Sequence, residues 1–226
     1  MGRATSLALA RAGAQVVACA RSQEGLASLA REAESMGAGI EVRPLDVRDR
    51  AQAFALFGEV AQAKQRIDAL IYAAGTNVPA RRLEQVSHED WEAIFATNVT
   101  GAFHCTQAVL PVMRRQDDGL IIYVSSVSAK RGDWSGPAYQ ASKRAIDGIV
   151  HAAMTELQGE SVRFTVLYPG VIDTPLLDRR PKPPAPEERA EALQPEDIAE
   201  LCVYLVSTPP RVHVREVLVT PKAPLI

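Results

Sequence analysis

Six short apolar runs, separated by stretches of helical periodicity, constrain this chain more than any other feature. The runs cover residues 15–20, 40–45, 68–72, 119–124, 161–167 and 212–219. A helical pattern at 2–12 precedes the first, and others follow at 24–36, 51–64, 87–114, 138–157 and 195–205. A helix between successive strands carries the chain back across the sheet, so the strands run parallel. The expected fold is therefore α/β: a doubly wound parallel sheet in three layers, with helices on both faces, in one domain over residues 1–226.

Local signals agree. Leu26, Leu29 and Ala33 share one helix face, and Gly37 stands beyond its end. Ser87 with Asp90 three residues on approximates a capping box. Asp46 and Asp49 both suit the N-cap of the helix near residue 51. Ala69-Leu70-Ile71 reads as a fully buried run. Four prolines among charges, Pro181, Pro183, Pro184 and Pro186, mark 178–189 as mobile or extended and unable to build core.

Composition narrows the function classes. The 226 residues carry 25 basic and 27 acidic side chains, which argues against a nucleic-acid binder. No apolar run approaches the ~20 residues needed to span a bilayer, and no secretory signal pattern is visible. Cys19, Cys105 and Cys202 lie far apart in apolar segments, so they read as buried thiols of a reducing cytoplasm. His88, His104, His151 and His213 show no metal-ligand spacing.

The chemistry concentrates at Tyr139-Gln140-Ala141-Ser142-Lys143. Residues four apart lie on one helix face, one turn apart. A phenol with a pKa near 10 is a poor acid at neutrality, and a neighbouring ammonium favours its ionised form. Ser126 sits at the end of the apolar run 119–124, where a hydroxyl facing a helix start can share a carbonyl oxygen with Tyr139. Asn98 lies inside a helical pattern, where Asn is mildly unfavourable, between the apolar Phe95, Val99 and Phe103. Trp134, in the loop over this region, is expected to form an apolar wall.

These residues stand among further segments: Asp46-Val47, Tyr72-Ala73-Ala74-Gly75, Asn98-Val99-Thr100-Gly101, Ser125-Ser126 and Pro169-Gly170-Val171-Ile172-Asp173-Thr174. In this order and at these spacings the chain resembles the short-chain dehydrogenase/reductase family, of the small type that includes the 3-oxoacyl-carrier-protein reductases. The resemblance runs from Gly2 to about Pro221 and implies a Rossmann-like fold. It also implies NADP(H)-dependent interconversion of a carbonyl and a secondary alcohol in the cytoplasm. Tyr139 is then the general acid/base, Ser126 orients the oxygen, Lys143 lowers the Tyr139 pKa and holds the nicotinamide ribose, and Asn98 organises a proton-relay water. Asp46 accepts from adenine, with Val47 beside it. Ala74 and Gly75 let a ribose approach closely, and Pro169, Gly170, Ile172 and Thr174 line the nicotinamide side. A substrate lid falls at 176–193. Tyr72 and Ala73 replace the family's two asparagines, which puts side-chain bonding at that turn in doubt. Arg21, at the end of the run 15–20 where NAD-binding folds carry an acid, favours NADP(H) over NAD(H).

The start of the chain departs most from the family. Only Gly2 corresponds to the Gly-rich turn that cradles a pyrophosphate, and no strand precedes it. Two expectations follow: either an open slot in mid-sheet or a collapsed arrangement closing it, and weak NADP(H) binding repaired by a restored strand and turn. The rival reading is a non-catalytic, cofactor-impaired family member serving as a partner subunit. The long helices 99–113 and 145–157 carry more apolar residues than one buried stripe needs, so a homodimer or homotetramer is expected.

Overall fold

The structure is a computed structural model and describes residues 1–222, so the last four residues of the expected domain lie outside it. Strands and helices alternate: α1 (Gly2–Arg11), β1 (Val16–Ala20), α2 (Gln23–Ser35), β2 (Ile40–Pro44), α3 (Arg50–Lys64), β3 (Ala69–Tyr72), α4 (His88–Phe95), α5 (Gly101–Arg115), β4 (Gly119–Val124), α6 (Pro137–Glu156), β5 (Val162–Pro169), α7 (Pro186–Ala190), α8 (Pro195–Val206) and β6 (Glu216–Val219). Helix starts are chemically specified. The Ser22 hydroxyl accepts from Gly25 N at 3.0 Å, and the Ser87 hydroxyl accepts from Asp90 N at 3.1 Å. Of the two cap candidates before α3, Asp49 takes the role, accepting from Gln52 N at 3.0 Å.

Every strand pairing is parallel. The layers can be read from β4, whose six residues are all buried. Ile121 and Tyr123 pack with Val109 and Met113 of α5 and Ile146 and Val150 of α6. Their alternates Leu120, Ile122 and Val124 pack with Ile198, Cys202 and Leu205 of α8 and with Met1. That two-residue alternation between helical layers is what a sheet covered on both faces requires. The architecture is the expected three-layer α/β/α fold.

The strands form two sheets, β1-β2 and β3-β4-β5-β6, and no ladder joins β1 to β3 among the described residues. Both are thus edge strands. Ala69, Leu70 and Ile71 are consequently only half-buried, whereas the sequence pattern predicts full burial. Cys105 and Cys202 are buried, but Cys19 on β1 is exposed, for the same reason. Helix α1 bridges the two sheets: Leu7 joins Ala18, Leu29 and Ala33, while Gly2 lies against Ala73, just after β3. Two further differences concern loops. The final strand begins only at Glu216, and the proline-rich segment holds a turn at Leu177–Arg179 and the short helix α7. No residue from 178 to 189 is buried, as its composition predicts; the buried Leu177 and Ala192 flank the segment. No helix among the described residues is long and apolar enough to cross a membrane.

Candidate active site

The expected helix 87–114 is not continuous. Between α4 and α5, Ala96–Thr100 makes a π turn, which widens the helix and frees backbone groups. Tyr72, at the end of β3, donates its hydroxyl to Thr97 O at 2.5 Å. The residue that departs from the family pattern thus satisfies a carbonyl freed by the turn. Asn98, 1% exposed, uses its whole amide. Its Oδ1 accepts from Thr76 N at 2.8 Å, and its Nδ2 donates to Thr76 O at 3.1 Å and to Ser142 Oγ at 3.0 Å. One side chain thereby locks the loop after β3 to α6. Gly101 is required by packing: a Cβ there would stand 2.6 Å from Val47 Cγ2 and 2.7 Å from the Tyr72 hydroxyl oxygen.

Helix α6 delivers Tyr139 and Lys143. Its N-cap, Gly136, has φ +88°, and a Cβ there would stand 2.3 Å from Arg81 O, so only glycine fits. Pro137 then begins the helix. Ser126 follows β4 and opens a short turn, accepting from Ser128 N at 3.2 Å. Its hydroxyl also donates to Ser128 Oγ at 3.1 Å, and Ser128 donates to Asp133 Oδ2 at 2.5 Å. Ser126 lies against the Tyr139 phenol and favours its ionised form. The structure therefore brings Ser126, Tyr139, Lys143 and Asn98 together at the C-terminal end of β4. Trp134 does not join them; it is 81% exposed and forms no wall.

The electrostatics correct one expectation. Burial pushes the Tyr139 phenol up to about 12, opposed by the Ser126 bond and by the charges of Arg180 and Arg81. Lys143 is not among the groups that lower it. The ammonium nitrogen stands 5.6 Å from the Tyr139 ring centre and donates to Val124 O at 2.9 Å. Burial brings Lys143 itself down to about 8. Desolvation wins over the through-space field because Lys143 is buried and Tyr139 is half-buried.

A stability prediction follows for Lys143. Its folded-state pKa lies below the unfolded value, so the folded state releases the proton first. The penalty for burying the ammonium is full below about pH 8 and disappears as pH rises to about 10.5. Lys143→Met removes this penalty, about 3 kcal/mol at most, and also loses the bond to Val124, a loss independent of pH. The variant-minus-parent difference in thermal midpoint should therefore shrink between pH 7 and pH 10. A difference that does not change with pH would refute the lowered pKa of Lys143.

The remaining candidate residues sit at strand ends. Gly75 opens onto the site: a Cβ there would stand 3.5 Å from Lys143 Nζ and 3.7 Å from Asn98 Oδ1, and the small Ala74 precedes it. Gly2, at the start of α1, lies against Ala73. Arg21 is exposed and makes no side-chain hydrogen bond or ion pair among the described residues. Asp46 is engaged: Arg48 holds it from both carboxylate oxygens, and that bond is the main cause of a pKa near 2. Val47 packs between two apolar clusters, and its carbonyl meets His104 Nδ1 at 3.1 Å. Pro169 ends β5, and Gly170 N donates to Val219 O at 2.8 Å. Ile172 is bridged to Leu193 and its side chain is buried in the core rather than lining a site. Thr174 O accepts from Leu177 N at 2.9 Å.

Sequence reasoning missed Thr76, Ser128, Asp133 and two arginines. Arg81, 6% exposed, donates to Val78 O at 2.9 Å and to Arg179 O at 2.6 Å, tying the expected lid to the loop after β3. Arg179 returns the contact, donating to Thr76 Oγ1 at 3.1 Å. No local pattern marks the two arginines, because Arg81 and Arg179 meet lid and loop partners about a hundred positions away. Ser142 had a signal, lying within the Tyr139–Lys143 segment.

Residues 1–184 match a family model described as short chain dehydrogenase. The chain is 35% identical over 216 residues to a 3-oxoacyl-(acyl-carrier-protein) reductase of Thermotoga maritima, covering 92% of this chain and 86% of the relative. Among solved structures, an alcohol dehydrogenase from Thermococcus sibiricus complexed with 5-hydroxy-NADP superposes with a TM-score of 0.86 at 27% identity, over 99% of this chain and 93% of that one. A closed form of serine dehydrogenase complexed with NADP+ gives 0.86 at 28% identity, over 97% and 90%. With that match and the side chains gathered at the end of β4, the chain belongs to the short-chain dehydrogenase/reductase family of oxidoreductases.

Proposed function

We propose that this enzyme interconverts a small-molecule carbonyl compound and a secondary alcohol, using NADP(H). The observation that carries the reading is the convergence of Ser126, Tyr139, Lys143 and Asn98 at one strand end. When bound, the nicotinamide supplies the hydride to the carbonyl carbon, or takes it back in oxidation. In reduction Tyr139 gives its phenolic proton to the carbonyl oxygen, so the net addition is one hydride and one proton. Ser126 donates to the same oxygen and orients it. Lys143, with a pKa near 8, is suited to hold the nicotinamide ribose and to return a proton to Tyr139 through the region Asn98 organises. Acid catalysis of this kind contributes ~10²–10⁴-fold.

The fit to the cofactor rests on two features. The Gly75 backbone opens onto Lys143 and Asn98 without a side chain between them, which leaves room for a ribose. Arg21 offers an exposed guanidinium without a carboxylate partner among the described residues, which suits a 2′-phosphate. Gly2, Asp46, Val47 and Ala74 belong to the same proposed cofactor side, with Pro169, Gly170 and Thr174 toward the nicotinamide; Ile172, its side chain in the core, has only its backbone to offer there. Asp46 reaches adenine only by sharing its carboxylate with Arg48.

Arg21→Ala tests the cofactor reading. A charge-assisted bond to phosphate contributes ~1.5–3 kcal/mol, so the variant should bind NADPH about 10–100-fold more weakly and NADH almost unchanged. Fluorescence titration with both nucleotides measures this, and equal losses would remove Arg21 as the selector. A parent that binds neither nucleotide would instead return the chain to the partner-subunit reading. Self-association belongs to the same proposal: Phe103 on α5 is 45% exposed, and Trp91 stacks on Phe95 at the surface of α4. Light scattering that reports only monomer at micromolar concentration would count against it.

A further inference from the structure

Ser126, the residue proposed to orient the carbonyl oxygen, begins a chain of hydroxyls that ends on Asp133. Its Oγ lies 3.1 Å from Ser128 Oγ, and Ser128 Oγ lies 2.5 Å from Asp133 Oδ2. Ser128 is 3% exposed, so protein groups and not bulk water settle the direction of its hydroxyl. The other carboxylate oxygen, Oδ1, accepts from Ser135 N at 2.8 Å and from the Ser135 hydroxyl. The loop that carries the acid is anchored on both sides. Gln140 Nε2, on the Tyr139 helix, donates to Asp133 O at 2.8 Å, and Asn77 Nδ2 donates to Ser135 O at 2.9 Å.

The order of donors in this chain is forced. A carboxylate accepts and does not donate, and a hydroxyl has one proton to give. Ser128 therefore spends its proton on Asp133, and toward Ser126 its Oγ can only accept. Ser126 is then the donor of the 3.1 Å bond, while its own oxygen accepts from Ser128 N at 3.2 Å. The bond to the carboxylate is charge-assisted, and successive bonds in such a chain strengthen one another. The resting site thus commits the one proton that Ser126 has to offer. A carbonyl oxygen, which only accepts, must draw that proton away from Ser128 before Ser126 can orient it. An alcohol hydroxyl can instead donate to the Ser126 oxygen with the chain intact.

We infer that Asp133 is a positioning residue: acting through Ser128, it holds the Ser126 proton away from the reacting oxygen and so restrains the donation that carbonyl reduction requires. This rests on the carbonyl–alcohol reading above and adds to it the residue that sets how readily Ser126 gives its proton. Two substitutions separate the hydroxyl chain from a simple effect of charge. Ser128→Ala removes the acceptor of the Ser126 proton, keeps the Asp133 charge and keeps the N–H that holds the Ser126 oxygen. Asp133→Asn is isosteric at an exposed position. Ser135 N–H holds the Oδ1 side, so the amide NH2 faces Ser128, and Ser128 is free to give its proton to Ser126.

The direct test is neutron diffraction from deuterated crystals of the parent and of Asp133→Asn. In the parent the Ser128 deuteron should lie on the line to Asp133 Oδ2, and the Ser126 deuteron on the line to Ser128 Oγ. In Asp133→Asn the Ser128 deuteron should leave residue 133. A Ser126 deuteron directed elsewhere in the parent overturns the inference, whatever the protein catalyses. The second test compares kcat/KM for cyclohexanone, acetophenone and ethyl acetoacetate, with NADPH as reductant, in the parent and both variants. Release of one neutral hydrogen bond should raise it about 2–10-fold in Ser128→Ala and in Asp133→Asn, for any ketone the parent reduces. A merely structural role would lower it. No change or a fall in either variant overturns the inference and leaves the carbonyl reading standing. A rise confined to Asp133→Asn overturns it too, because the charge would then act without Ser128. A parent that reduces none of the three ketones counts against the carbonyl reading, and the deuteron positions then decide the hydroxyl chain by themselves.

Discussion

Tyr139→Phe is expected to lower turnover by about 10²-fold or more and to leave NADPH affinity nearly unchanged. The substitution keeps the ring and its packing at the start of α6 and removes only the proton that would reach the carbonyl oxygen. Ser126 remains as a donor, so the oxygen is still oriented, but a serine hydroxyl is too weak an acid to replace the phenol. The raised pKa of about 12 means that Tyr139 stays protonated through the whole neutral range. Reduction should therefore keep its acid up to at least pH 10, and a pH-rate limb near 8 should belong to Lys143 and vanish in Lys143→Met. Turnover followed by NADPH oxidation checks both statements. A variant that keeps more than half the parent's turnover would mean that Tyr139 is not the proton donor.

Placing one more parallel strand and a Gly-rich turn ahead of Gly2 should raise both stability and NADPH affinity. The strands β1 and β3 are each paired on one side only, and β3 leaves Ala69, Leu70 and Ile71 half-exposed. A strand between them would bury about five apolar side chains at ~1.5–3 kcal/mol each, a gross gain of ~10 kcal/mol. Ordering the added backbone opposes most of this, at ~1–2 kcal/mol per residue, offset in turn by the new ladder hydrogen bonds. A net gain of about 3 kcal/mol corresponds to a thermal midpoint higher by about 6–12 °C for a chain of this size. The turn would add backbone amides at the start of α1, where Met1 makes no side-chain cap bond among the described residues, and so create a seat for a pyrophosphate. NADPH affinity should rise by about tenfold or more, as charge-assisted bonds to a phosphate allow. Differential scanning calorimetry and nucleotide titration of the two proteins make the comparison. Equal midpoints and equal affinities would refute the idea that the split between β1 and β3 weakens this fold.

Much of this molecule was legible in the chain because its signals are local. A strand of alternating or continuous apolar residues, a helix with a Ser or Asp at its start and a Tyr four residues from a Lys each depend on neighbours a few positions away. The α/β order, the cap at Ser87, and the placing of Ser126 at a strand end and Tyr139 at a helix start all arose that way, whereas the choice of Asp49 over Asp46 as a cap needed the structure. Asn98 belongs to the same class, since a polar amide inside an apolar helical pattern already marks a break.

What only the tertiary structure decided concerns groups far apart in sequence and the dielectric between them. Ala69-Leu70-Ile71 looks like a buried run, but burial requires a partner strand on each side, and β3 has one. Tyr72 looks like a loss of function at its turn until Thr97, 25 residues on, presents it with a free carbonyl. The spacing of Tyr139 and Lys143 suggests an acidified phenol, yet desolvation raises the phenol and brings the ammonium down to about 8. The proline-rich segment looks unstructured because its anchors, Arg81 and Thr76, lie about a hundred residues away. Periodicity reports which face of an element is apolar; it carries no information about what covers that face, how much water is left beside a charge, or which distant arginine anchors a loop.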